Sequence, residues 1–158
     1  MMCLVRSVDP TELDRLHTLR LEALSESPMA FGSTYASEVA RTPASRLSWV
    51  TEGVAVIAED DDGWHGLATG TVVNGVVHVF AMWVRPQRRR EGIARALLDA
   101  VLVWGAEQGA SSARLGVVDD NAGAAELYRI EGFAPTGERE PLRSDETHEV
   151  IYLAKALR

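Results

Sequence analysis

Cysteine, lysine and long apolar runs are nearly missing from this chain of 158 residues. Cys3 is the only cysteine, so no intramolecular disulfide forms and no zinc cluster can be built on thiolates. No metal is expected. No apolar run is long enough to span a bilayer. The N-terminal MMCLVRSVDP lacks the apolar core of a secretory signal. The expectation is a cytoplasmic protein with no membrane partner. Lys155 is the only lysine, so nearly all positive charge is arginine. Arginine suits phosphate contacts, and a GC-rich genome gives the same bias. The net charge of -7 argues against a nucleic-acid partner, which needs a positive field to displace counterions. Two phosphate-binding patterns are also missing: G-x-x-x-x-G-K-[ST] of nucleotide P-loops and G-x-G-x-x-G of dinucleotide folds.

What is present fits one domain over residues 1–158. The hydrophobic share is 46% and the charged share 25%, an ordinary globular balance. Residues 3–8 read as a strand. Asp9-Pro10-Thr11-Glu12 then opens a helix as a capping box with proline at the first position, and Leu13, Leu16, Leu21 and Leu24 give it an apolar face. Residues 25–38 read as a loop, with re-entry into a helix left open. Pro43 to Val50 reads as a second helix. Strands follow at 53–59, 64–73 and 76–84. The last two flank Asn74-Gly75, the strongest short-range hairpin signal, because a type I′ turn needs positive φ at both positions. The third strand is apolar on both faces apart from His78 and should be central and buried. A helix from about Arg90 to Gln108 buries Ile93, Leu97, Val101 and Trp104. A strand at 113–118, a helix at 122–130 and strands near 133–140 and 147–154 complete a mixed α/β domain with helices on the faces of its sheet.

The stretch VRPQRRREGIARALL, Val84 to Leu98, puts four arginines where a strand gives way to a helix. The first N–H groups of a helix lack internal partners, and the helix dipole adds partial positive charge there. Gly92 lets the backbone curl close to a ligand. Basic side chains at this end oppose the dipole, so Arg85, Arg88, Arg89 and Arg90 require an external anion or some other compensation.

Arg89-Arg90-Glu91-Gly92-Ile93-Ala94 resembles the Q/R-x-x-G-x-G/A loop of the GCN5-related N-acetyltransferase (GNAT) family. NAGAAELYRIEGF, Asn121 to Phe133, resembles that family's N-x-x-A-x-x-L-Y-x-x-x-G-F segment at every fixed position. The resemblance implies a mostly antiparallel twisted sheet splayed in the middle, and an acetyl-CoA cosubstrate whose acetyl group passes to a primary amine. The acidic balance is compatible with a cationic acceptor, whether a small molecule or a peptide amine. A homodimer paired through the C-terminal strands stays open.

In the family the loop's amides hold the pyrophosphate, which implicates Arg89, Arg90, Glu91, Gly92, Ile93 and Ala94. The splayed strand pairs with the pantetheine arm, which implicates Met82, Trp83 and Val84, chiefly by backbone. Asn121 would contact the coenzyme and Tyr128 would protonate the leaving thiolate. Arg90 stands where the family commonly has glycine, and Glu91 is expected to turn to solvent.

The general base is missing from its usual places. One of them aligns with Gly116, and the splayed strand carries no carboxylate. His78 is the titratable side chain left on that strand, and period two places it on the face of Phe80, Met82 and Val84. It reads equally as a base or as a structural histidine. Phe31, Tyr35 and Glu38 are candidates for the acceptor site; surface solvation is the ordinary alternative for Glu38. A non-catalytic acyl-CoA-binding module is the competing reading.

Overall fold

A computed structural model describes residues 3–27, 34–143 and 145–157. Phe31 lies outside them. The described chain forms seven strands: β1 (Leu4–Ser7), β2 (Val54–Asp60), β3 (Gly63–Val73), β4 (Val76–Val84), β5 (Ser112–Val118), β6 (Ala134–Leu142) and β7 (Asp145–Ala156). Five helices accompany them: α1 (Leu13–Glu26), α2 (Tyr35–Val39), α3 (Pro43–Thr51), α4 (Ile93–Glu107) and α5 (Ala122–Ile130). No described helix is long and apolar enough to cross a membrane.

Local chemistry accounts for most element ends. The capping box forms: Asp9 accepts from the Thr11 N–H and Glu12 accepts from the Asp9 N–H, each at 2.9 Å. It closes a short 3-10 turn, Pro10–Glu12, before α1 begins. The stripe that α1 buries is Leu16, Leu19, Ala23 and Leu24, together with Arg20. Leu21, expected on this face, is only half-buried, because residues 16, 19, 20, 23 and 24 follow the helical repeat more closely. Asn74 and Gly75 take positive φ, 50° and 77°, and turn β3 into β4 as expected.

The seven strands form one sheet in the order β1-β2-β3-β4-β5-β7-β6. Every pairing is antiparallel except β4 with β5. That pair is parallel and covers only Val76–Val79 against Ser112–Leu115. β4 then continues to Val84 on β3 and β5 to Val118 on β7 without pairing to each other, so the sheet splays at its middle. α4 packs on β3 and β4 at very close range. A Cβ on Gly105 would sit 2.6 Å from Val77 Cβ, and one on Gly70 would sit 2.5 Å from Val101 Cγ1.

A bulge in β4 sets the splay. Leu67 pairs with Trp83 and Thr69 with Phe80, so Ala68 faces both Ala81 and Met82. Ala81 has φ 52°, a left-handed backbone on a non-glycine residue. The extra residue reverses the alternation of side chains beyond it. Val77, Val79, Met82 and Val84 face α4, whereas Ala81 and Trp83 face α1. The period-two expectation therefore fails past Phe80. His78 shares its face with Phe80, their rings 6.3 Å apart, but not with Met82 or Val84. β4 is central as expected, yet Phe80 on that face is 52% exposed.

Glu38 is neither solvated nor open to a ligand, contrary to both expectations. It is fully buried on α2. One carboxylate oxygen accepts two bonds from Arg20, at 3.0 and 2.9 Å. The other faces Arg41 at 3.0 Å and His17 at 3.3 Å. Burial alone would raise its pKa, but the hydrogen bonds and charges of these arginines outweigh that and hold it below the usual carboxylate range.

Two outcomes follow. Glu38→Ala strands the buried Arg20 guanidinium and should destabilise the fold by about 3–5 kcal/mol in urea titrations near neutral pH. Because the folded carboxyl is depressed, its contribution is present above the ordinary carboxylate pKa and fades as pH falls through the folded value. The gap between wild type and Glu38→Ala should therefore narrow in acid. Ala81→Val forces a β-branched residue into the left-handed region and should cost about 1–3 kcal/mol, read as a lower Tm, while Ala81→Gly should not lower it.

Candidate active site

The loop between β4 and α4 answers the charge problem posed by its arginines. Three of the four are compensated from within. Arg85 makes a two-armed contact with Glu22 at 2.6 and 2.7 Å. Arg88 pairs with Asp60 at 2.8 Å and with Glu91 at 3.1 Å. Arg89 pairs with Glu26 at 2.7 Å and donates to the Val84 carbonyl at 2.8 Å. Of the two alternatives, an external anion or another compensation, the fold supplies the second for these three arginines, and Glu91 is exposed as expected while it pairs with Arg88. Among the described residues, Arg90 alone of the four has no acidic partner.

A buried histidine ties this network to the sheet. His65 Nε2 lies 2.7 Å from Asp60, and Arg85 Nη1 lies 3.0 Å from His65 Nδ1. Arginine only donates, so Nδ1 carries the lone pair and Nε2 carries the proton given to Asp60. The loop is clamped to α1, β2 and β3 at once.

What the loop leaves free is its backbone. Arg90 has φ 67° and Gly92 φ 84°. Gly92 is the N-cap of α4 and supplies no capping side chain. Among the described residues, no acceptor faces the N–H groups of residues 90–95. Such a row of outward donors at a helix start suits a pyrophosphate. Arg90 occupies a left-handed position that glycine would adopt without strain.

Beside this loop runs a groove of about 580 Å³. It brings together Met82, Trp83, Val84, Arg89, Ala94, Asn121 and Tyr128. Trp83 contributes at the groove wall only, since its ring is buried towards α1 and its Nε1 donates to Glu26 at 2.8 Å. Asn121 Oδ1 caps α5 by accepting the Ala124 N–H at 3.2 Å. Glu91, Gly92 and Ile93 border an adjoining depression with Cys3, Asp60 and Arg88. Tyr128 is buried on α5 and packs edge-on against Phe133. Among the described residues its hydroxyl has no hydrogen-bond partner, and it opens to the groove. A structural tyrosine buried this deeply would ordinarily satisfy that hydroxyl. Burial pushes its pKa up to about 12.

A second hollow, about 530 Å³, lies on the opposite face of the sheet. His78 and Phe80 of β4, Arg114 and Gly116 of β5, Tyr152 of β7 and Glu140 of β6 line it, with Arg20, Trp49 and Glu52 across from them. Val118 borders both hollows, which meet where β4 and β5 part. His78 and Tyr128 are therefore on opposite sides of the sheet. Burial, helped by the charge of Arg114, lowers the His78 pKa, so the imidazole is neutral at physiological pH. Tyr35 and Glu38 do not border this cleft. Tyr35 stands half-exposed on α2. Arg114, Glu140 and Tyr152 escaped the sequence reading because none belongs to a motif; only their alternation along the last strands carries a signal.

Comparison with known proteins agrees with this geometry. A profile of the acetyltransferase (GNAT) family matches residues 17–133. A search of curated protein sequences found no significant match. Among solved structures, the chain is similar to an N-acetyltransferase from Staphylococcus aureus Mu50, with 16% identity, TM-score 0.80 and full coverage of both chains. It is similar to yncA of Salmonella typhimurium, solved with its cofactor acetyl-CoA, with 16% identity and TM-score 0.79 over 100% of this chain and 95% of that one. It is also similar to a ribosomal-protein-alanine N-acetyltransferase from Brucella melitensis, with 17% identity and TM-score 0.78 over 98% and 99% of the two chains. With its fold, its splayed sheet and its profile match in agreement, this chain belongs to the acetyltransferase (GNAT) family.

Proposed function

We propose that this protein is an acetyl-CoA-dependent N-acetyltransferase that passes an acetyl group to a primary amine by direct attack of the amine on the thioester. The observation that carries the reading is the parting of β4 and β5, which joins a groove on one face to a polar cleft on the other. The donor enters from the groove and the acceptor from the cleft, so the two reactants meet without sharing a path.

Residues 90–95 present N–H groups that have no partner among the described residues to the pyrophosphate, with Arg90 adding its charge. The unpaired edge of β4 past Val79 offers backbone groups to the pantetheine arm. Val84 contributes its N–H side alone, because Arg89 occupies its carbonyl. Acetyl-CoA supplies a thioester whose carbonyl carbon takes up the amine. A backbone N–H near Met82 stabilises the charge that develops on the carbonyl oxygen. Tyr128 keeps its proton at physiological pH and holds it for the departing sulfur. The burial that weakens Tyr128 as an acid also disfavours a thiolate beside it, so the transfer is not penalised on one side alone.

Gly116 favours one competing reading. A coenzyme-binding module without turnover would need no base, and none stands at that position.

Two measurements test the proposal. Release of free coenzyme A thiol from acetyl-CoA, with pooled polyamines, small amines and short peptides, should show turnover with at least one pool. Tyr128→Phe should lower that rate by about 10²-fold or more with acetyl-CoA affinity unchanged. Binding without turnover in every pool would favour the module. Separately, Gly92→Val should weaken acetyl-CoA binding by about tenfold or more in calorimetry, because a branched side chain strains the left-handed turn that aims the amides.

A further inference from the structure

The place where the family's carboxylate would stand is filled by another residue. Gly116 is the first β5 residue past the last β4–β5 pair, Val79 with Leu115. It pairs across the sheet with Tyr152 of β7. A Cβ on Gly116 would lie 3.2 Å from Tyr152 Cε1 and 2.6 Å from Val150 Cγ1. No longer side chain fits there, and the tyrosine ring covers the glycine. The phenol of Tyr152 then hydrogen-bonds the carboxylate of Glu140, whose β6 position pairs with Val150. Both residues line the cleft.

From this arrangement we infer that Glu140, acting through the hydroxyl of Tyr152, is the proton acceptor for the incoming amine. This rests on the acetyltransferase reading above. The step balances simply. The ammonium gives a proton to the Tyr152 oxygen while the Tyr152 proton moves to Glu140, leaving a neutral amine, a neutral phenol and a protonated carboxyl. The amine nitrogen then bonds to the thioester carbon, the carbon–sulfur bond breaks as Tyr128 gives its proton to the sulfur, and the proton that the nitrogen sheds on becoming an amide restores Tyr128, so thiol and amide leave as neutral products. Glu140 returns its proton to solvent.

The surroundings suit a relay. Burial, and then the neighbouring Glu140, push the Tyr152 pKa up to about 12, so the phenol stays protonated and passes protons on without storing charge. Arg114 of β5 lies over the Tyr152 ring at 4.5 Å and pairs with Glu138 of β6. His78 faces the pair from β4, and Arg20, Glu52 and Arg143 complete the charged groups around the cleft. Of the two carboxylates lining it, Glu52 lies just past the end of α3, while Glu140 is linked by a hydrogen bond to the residue beside the sheet's parting.

The test compares two amines with Glu140→Gln and Tyr152→Phe, both of which preserve shape. Propylamine is almost wholly protonated at neutral pH, and hydroxylamine is largely neutral. With propylamine each variant should lose about 10²-fold or more in thiol release, and its residual rate should rise with pH in proportion to the neutral amine fraction. With hydroxylamine, the variants should stay within a few-fold of wild type. Tm and acetyl-CoA affinity should not move. Equal losses with both amines, or no loss with propylamine, would overturn the relay and leave the acetyltransferase reading standing. Wild-type protein that binds acetyl-CoA but turns over neither these two amines nor any of the pools above would overturn both.

Discussion

One extra residue in β4 governs the shape of this protein. Ala81, held at a positive φ, makes two residues of β4 face one of β3. The strand bends there, and its pairing with β5 has already ended at Val79. Past the bulge, Met82 and Val84 turn to the α4 side and Trp83 to the α1 side. The backbone edge of β4 is left unpaired in the middle of a sheet, where unpaired groups are normally costly. A central strand with a free edge is tolerable only if something else meets it, and a groove and a cleft adjoin it from the two faces.

The same economy governs charge. A run of arginines at a helix start opposes the helix dipole, and the fold answers with Glu22, Glu26, Asp60 and Glu91. Asp60 is held well below the usual carboxylate range, first by its bond with His65 and then by Arg88, despite an opposing effect of burial. The arginines serve mainly to fix the loop, through partners on α1 and β2. What faces outward is a row of backbone donors that titrates at no pH and needs little reorganisation to meet a phosphate.

Much of this was legible in the amino-acid sequence wherever the determinant was local. Asn74-Gly75 specified its hairpin, Asp9 and Glu12 their capping box, and the spacing of Ile93, Leu97 and Val101 the buried face of α4. The loop at 89–94 and the segment at 121–133 pointed to the family, and the profile match over residues 17–133 agrees. Features that depend on distant partners were not legible. Ala81 carries no glycine or proline signal for its bulge. Glu38 looked like a surface acid because Arg20 meets it from another helix. Arg85 and Arg89 find their acids 63 residues back in the chain. Tyr152 reaches Gly116 only once β7 has paired with β5, and Glu140 reaches Tyr152 only once β6 has paired with β7.

Amide hydrogen exchange with and without acetyl-CoA tests the central claim most directly, because it reads the backbone donors themselves. Protection should appear at residues 90–95 and along the free edge of β4 beyond Val79, with the cleft-facing segments of β6 and β7 unchanged. Acetyl-CoA that binds while leaving residues 90–95 exchanging as before would contradict a coenzyme held by this loop.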